Sequence, residues 1–266
     1  MFFRIKRNFL LYVHYISAVL RGMMQYRFSL LLMVTGRFLV AFSGFLGIHF
    51  LFSGFTQIKG YSYSDVLLCF AVMQLSFAVA ECVGGGLQNF SGMVKKGEFD
   101  RVLLRPCSPI LQILGSRFEL GRLGPIISAL LMLMIGIKSS EICWNFSRAV
   151  TLLAMIAGGI LLFIGIFLLG ATICFFSVED TSLINVLTYG AKEHGKYPLD
   201  IYGKGVLRLC TFVIPYTLVQ YYPLQFLLGR TEDVRYAICP AGVLVFLGVC
   251  YGAWRLGVRR YGSCGG

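Results

Sequence analysis

Residues 149–178 read AVTLLAMIAGGILLFIGIFLLGATICFFSV, a run without a single Asp, Glu, Lys or Arg. A helix that is apolar on every face has no side to offer water, so it lies in a large core or in lipid. About 20 residues rising 1.5 Å each cross a roughly 30 Å hydrocarbon layer, and this run exceeds that need. It therefore tilts in the bilayer or projects from it.

Working outward, further charge-free intervals cover 38–58, 66–80, 123–137, 209–229 and 236–254. One charge at the bilayer centre costs about 2.5–3.5 kcal/mol on insertion scales, so such intervals mark spans. With their flanks they predict an all-α integral membrane protein with six transmembrane helices. The spans are expected at about 28–52, 65–87, 110–137, 148–176, 205–222 and 236–256. Pro215 and Tyr221-Tyr222-Pro223 interrupt the fifth, which suggests a short outer helix pair in place of one straight rod. Composition agrees: of 266 residues, 57% are hydrophobic and only 14% charged. Soluble domains carry about 25% charged residues. No polar stretch is long enough for a soluble domain, so residues 1–266 form one transmembrane domain.

The net charge of +12 is spread in short clusters between apolar runs, which does not suit nucleic acid. The clusters read as topology signals and contacts to lipid headgroups. Arg4, Lys6, Arg7, Arg21 and Arg27 precede the first span, and Lys95, Lys96, Arg101, Arg105, Arg117 and Arg122 follow the second. Lys192, Lys196, Lys204 and Arg208 follow the fourth, and Arg255, Arg259 and Arg260 the sixth, against Lys59, Lys138, Arg148, Arg230 and Arg235 on the other side. The expected topology is multi-pass in the inner (plasma) membrane with both termini cytoplasmic. Residues 4–24 place Ile5, Phe9, Tyr12, Ile16 and Leu20 on one face and Arg4, Arg7, His14 and Arg21 on the other, an interfacial amphipathic helix. No small-residue cleavage site follows, so no cleaved signal peptide is expected.

Catalytic signatures are absent. No Gly-x-x-x-x-Gly-Lys-Ser/Thr run is present to cradle phosphate, and neither a Gly-x-Ser-x-Gly nor a His-Glu-x-x-His motif occurs. The nine cysteines form no Cys-x-x-Cys pair and the three histidines stand far apart, so no metal site is expected. Gly84-Gly85-Gly86 is read as a helix terminator. Arg37 and Glu81 fall inside the first and second spans, both in the inner half. Either they form an intramembrane ion pair across adjacent helices or each snorkels to the interface.

Residues 95–109, KKGEFDRVLLRPCSP, lie between the second and third spans. Phe99, Val102 and Leu103 repeat at i, i+3 and i+4 among Glu98, Asp100, Arg101 and Arg105, a short amphipathic helix opened near Gly97 and stopped by Pro106. On physics alone this is either an interfacial linker or a contact for a soluble partner.

Residues 95–114, KKGEFDRVLLRPCSPILQIL, resemble the Gly-acid-x-Asp-x-x-Leu-x-base-Pro pattern of ABC-2-type permease subunits, in the branch of bacterial permeases of about 260 residues. Tyr197-Pro198-Leu199-Asp200-Ile201-Tyr202, then Val213-Ile214-Pro215, Tyr221-Tyr222-Pro223 and Leu227-Leu228-Gly229 resemble further patterns of that family, in the same order. The resemblance implies the membrane half of an ABC exporter, coupled to a separate ATPase subunit that binds the ATP, with no cofactor of its own. It also implies that Gly97, Glu98, Asp100, Arg101, Arg105 and Pro106 form the cytosolic coupling helix, and that a second permease subunit, as hetero- or homodimer, completes the assembly. An ion- or proton-coupled secondary carrier is the alternative, and would show inverted repeats and more intramembrane ionisable groups than Arg37 and Glu81. Purified alone, the chain is expected to require detergent to stay folded and to turn over no nucleotide; either a soluble folded form or intrinsic ATPase activity contradicts this.

Overall fold

The computed structural model describes residues 24–176, 186–190 and 197–262, with positions 17, 21, 22, 193 and 195. The expected interfacial helix at 4–24 lies almost wholly outside the described residues. Among the described residues, five helical stretches are long and apolar enough to cross a membrane by length and composition: Arg27–Gly54, Tyr63–Lys95, Leu120–Ser139, Phe146–Ile173 and Val234–Arg260. No β-strand occurs among the described residues; two backbone hydrogen bonds between Ile58 and Tyr61, 3.0 and 3.1 Å, close the turn after the first helix. Lys59 and Gly60 both take positive φ in that turn.

Helix α1 (Arg27–Gly54) leads through this turn into α2 (Tyr63–Gln88), which Ser62 and Asp65 start with a reciprocal capping box. A short α3 (Phe90–Lys95) extends it, and α4 (Glu98–Leu103) and α5 (Pro109–Ser116) follow. A single 3-10 turn, Leu120–Arg122, opens α6 (Leu123–Ser139). The Asn145 side chain accepts from the Arg148 amide at 2.8 Å to cap α7 (Phe146–Ile173). Past a 3-10 turn at Leu199–Tyr202 come α8 (Lys204–Phe212), α9 (Tyr216–Val219) and α10 (Tyr221–Leu227). Helices α11 (Val234–Ile238) and α12 (Val243–Arg260) end the fold.

The helices pack in the order α1, α6, α2, α7, α12. Helix α2 sits in the middle and is buried along nearly all of its apolar length, whereas α1 is buried along almost none. Leu39, Val40 and Phe50 of α1 and Val245 and Val249 of α12 point outward, an apolar surface suited to lipid. One end of the bundle gathers Lys95, Lys96, Arg101, Arg105, Arg255, Arg259 and Arg260 and is called the basic end below.

The three glycines do not terminate α2. The helix runs through Gly84, Gly85 and Gly86, all buried, because other chain segments press against them. A Cβ on Gly86 would collide with the Ile113 carbonyl of α5, and one on Gly124 with the Val34 carbonyl of α1. Lack of a side chain, not freedom of the backbone, is what these positions require. The stretch expected as the third span is also broken: α5 stops at Ser116, and α6 begins after the turn that holds Glu119 and Arg122.

Between Phe176 and Asp200 the chain passes from one end of the bundle to the other. Phe175 packs on Trp254 at the basic end, 5.1 Å between ring centroids. Further on, the Tyr189 hydroxyl donates to Glu81 at 2.9 Å, and the Gly195 carbonyl accepts from Gln220 at 2.8 Å beside Cys69. Asp200 then takes a 3.0 Å hydrogen bond from Tyr61, at the far end. Burial and the neighbouring Asp200 push the Tyr61 phenol above its ordinary pKa.

The chain thus reaches the far end before residue 205, and Lys204 starts α8 there instead of on the basic side. Helix α8 dips inward, the chain turns at Pro215, Tyr216 meets Phe163 at 6.1 Å, and α9 and α10 climb back to where Gln225 donates to Tyr61 at 2.6 Å. The helix pair expected around Pro215 is present, entered from the opposite end.

Gly86→Ala should lower the thermal midpoint in detergent, since overpacking costs about 1–3 kcal/mol. Gly92→Ala on α3, where a Cβ meets nothing within 4 Å, should not lower it. Equal behaviour of the two would contradict the tight α2–α5 crossing.

Candidate functional site

At the basic end, Gly97 sits at φ 65° in the left-handed region, where a side chain is penalised, and lets the chain turn from α3 into α4. Its amide donates to the Val94 carbonyl at 3.0 Å. Glu98 and Asp100 occupy the first turn of α4 and Arg101 the last, the signs that a helix dipole favours. The Gln112 amide of α5 donates to the Val102 and Cys107 carbonyls, both at 3.2 Å, and holds the far side of the ledge.

What fixes α4 is Phe99, which has no exposed surface. Its ring meets Phe90 at 5.0 Å and Tyr261 at 5.0 Å, both edge-on, with Phe175 at 5.5 Å and Trp254 at 6.3 Å. Those four rings come from α3, the end of α7, and α12 with its following residue. Aromatic pairs at such geometry add about 0.5–1.5 kcal/mol each beyond the area they bury. The outward face of the ledge presents Glu98, Arg101, Arg105 and Pro106, and Leu104 is 85% exposed beside them; Asp100 is partly covered. Of the six residues expected in the coupling helix, Glu98, Asp100 and Arg101 lie on α4, Gly97 precedes it, and Arg105 and Pro106 follow it.

A second feature lies deeper. Arg37 Nη1 of α1 meets Glu119 Oε2 at 3.1 Å, Arg122 Nε meets the same oxygen at 3.2 Å, and Arg122 Nη2 meets Glu81 Oε1 of α2 at 2.8 Å. Arg37 and Glu81 are the two ends of this chain of charges, with Glu119 and Arg122 between them. Exposure falls along it, from 36% for the Arg37 side chain to 2% for Glu81. A cavity of about 250 Å³ opens beside it, walled by Asn89, Glu119, Arg122, Thr188 and Tyr189.

The motif positions nearer the C-terminus belong to the far half. The Tyr197 carbonyl accepts from Gln220 at 2.8 Å and Pro198 precedes the Leu199–Tyr202 turn. Pro215 precedes α9, Tyr222 stacks edge-on with Tyr236 at 5.5 Å, and Pro223 is buried in the first turn of α10. They shape the inward-dipping hairpin and do not touch the ledge. Among the described residues no three His, Cys, Asp or Glu side chains lie close enough to hold a metal ion.

Sequence reading missed Glu119, Arg122 as a partner of Glu81, and the aromatic box around Phe99. Trp254 and Tyr261, seven apart at the end of the last apolar run, were the available signal for a second wall of that box.

A family model described as "ABC-2 family transporter protein" matches residues 38–265. No curated protein and no solved structure gives a match. The chain belongs to the ABC-2 family of transporter proteins, and with its apolar helices it is a multi-pass membrane permease of an ABC transporter.

Breaking a buried pair by removing one partner costs about 3–5 kcal/mol, while an exposed pair is worth about 0–1 kcal/mol. Arg122→Gln should therefore destabilise the detergent-solubilised protein far more than Arg37→Gln, and adding Glu81→Gln to Arg122→Gln should recover part of the loss. Unfolding midpoints of the variants decide it; the reverse order contradicts the buried pairing.

Proposed function

We propose that this chain is the membrane half of an ATP-driven exporter and that the α4 ledge docks on a separate ATPase subunit. The observation that carries the reading is the two-sidedness of α4. One face is locked by Phe99 among rings of α3, α7 and α12, and the other offers acids, bases and Leu104 to solvent. A push on such a ledge moves helices, not a loop. ATP binding closes an ATPase dimer, and the ledge passes that closure to the bundle as a rigid-body shift. ATP stays with the partner, and the chain itself needs no cofactor.

The same reading puts the basic end in the cytoplasm of a cell whose inner (plasma) membrane holds the protein, since Lys and Arg are retained on that side. Lys204 and Arg208, both on α8 at the far end, weaken that asymmetry without reversing it. It counts six crossings, the fifth between Phe176 and Asp200, so both termini face the cytoplasm. A second permease subunit, identical or different, supplies the other half of the pathway.

A nucleotide-binding subunit should co-purify with the chain in mild detergent. Replacing Glu98, Asp100 and Arg101 together by Gln, Asn and Gln should leave membrane insertion intact and reduce stimulation of the ATPase about tenfold or more, as expected when charge pairs at an interface are lost. Unchanged stimulation by the triple variant would refute the docking role.

A further inference from the structure

A second cavity, about 500 Å³, lies at the edge of the bundle, between α1, α2 and the Glu193–Tyr197 side, and opens outward past Val40. Its walls include Ser43 and Gly47 of α1, Phe70 and Gln74 of α2, and Glu193 and Tyr197. The volume is that of a small-molecule site. Its depth follows from helix rise: Gln74 comes eleven residues into α2 and so about 16 Å from the far end, near the centre of a roughly 30 Å layer. Glu193 sits at matching depth, between Tyr189, bonded to Glu81, and Gly195, beside Cys69.

Two features set this cavity apart from ordinary packing space. Gln74 is 2% exposed, and its side-chain carbonyl oxygen has no hydrogen-bond partner among the described residues. A buried acceptor without a donor is costly, so a position that keeps one has a reason to do so. Glu193 is exposed along the wall of the same cavity, and a carboxyl group at membrane depth is by default a functional group. Both oxygens accept hydrogen bonds, and one carries negative charge. The rest of the wall, from Gly44 to Leu51 and Phe70, is small or apolar.

We propose that this cavity binds the ammonium group of an amphiphilic primary amine, with Glu193 and the Gln74 carbonyl accepting its hydrogens and the α1 side taking its apolar tail. An ammonium offers three donors and no acceptor, the complement of these two groups. The proposal deepens the transport reading by naming a substrate class, and rests on that reading for its biological meaning.

Binding is measured on the full chain in nanodiscs of phosphatidylcholine, with radiolabelled dodecylammonium as probe, 1-dodecanol and laurate as matched competitors, and empty nanodiscs as background. Wild type should show saturable binding, displaced by dodecylamine at least about tenfold better than by dodecanol, the lower range for a charge-assisted hydrogen bond. Glu193→Gln should abolish that preference, Gln74→Leu should weaken binding about threefold to tenfold, and Glu193→Asp should keep part of it. Displacement by added phosphatidylethanolamine would identify a lipid headgroup as the source of the amine, and its failure a free amine; both support the site.

Binding no greater than in empty nanodiscs, equal displacement by amine and alcohol, or an unchanged preference in Glu193→Gln overturns the proposal. So does preference for laurate, which would put flanking Lys192 or Lys196, outside the described residues, in the site. No ATPase enters the assay, so a failure here leaves ATPase co-purification untouched, and a failure of co-purification leaves this binding result standing.

Discussion

The insertion of Phe99 among Phe90, Phe175, Trp254 and Tyr261 is the contact on which the working parts of this permease depend. A six-residue helix in water has almost no stability of its own, because nucleation outweighs the few bonds it gains. Burying one large ring changes that balance, since removing a core Phe typically costs about 3–5 kcal/mol. The charges of α4 are thereby held in a fixed array at the end of the bundle. Gln112 and the turn at Gly97 support the same array from either side.

From that anchor the connection runs two ways. Trp254 and Tyr261 tie the ledge to α12, and Phe90 ties it through α3 to α2, the most buried helix of the bundle. Helix α2 in turn carries Glu81 into the chain of charges with Arg122, Glu119 and Arg37, which joins α1 and α6. Buried charge pairs add little net stability, but they penalise every arrangement that separates them. The pairing therefore fixes how α1, α2 and the start of α6 sit together. Through Glu119 and Arg122 it also borders a polar cavity near the basic end of an otherwise apolar bundle.

Much of this was legible because lipid imposes a blunt rule. Helices α1, α2 and α7 begin and end close to the expected positions, since charge-free runs and caps such as Ser62–Asp65 and Asn145 mark them. Glu98, Asp100 and Arg101 fell on a short helix because Gly97 and Pro106 bracket it. The rule misled where the protein supplies its own solvent. In the sequence, Glu179, Asp180, Lys192, Glu193 and Lys196 interrupt the stretch before Asp200 with charge, so the charge-free criterion passed over it and chose 209–229 instead. That run enters from the far end, turns at Pro215 and returns, and the side-chain amide of its buried Gln220 donates to the Gly195 and Tyr197 carbonyls. Gly84–Gly86 misled for a related reason: glycine breaks helices in water, yet here it admits Ile113 and Phe167. The ring box around Phe99 joins residues more than 150 positions apart, a pairing that no local pattern encodes.

The account stands on the ledge being welded to the helices behind it, and amide hydrogen exchange on the isolated, detergent-solubilised permease tests this directly. The amides of Val102, Leu103 and Leu104, whose carbonyl partners lie within α4, should exchange about a hundredfold or more slower than an unstructured chain, and Phe99→Ala should abolish that protection while α12 keeps its own. Exchange of wild-type α4 at the unstructured rate would contradict the account.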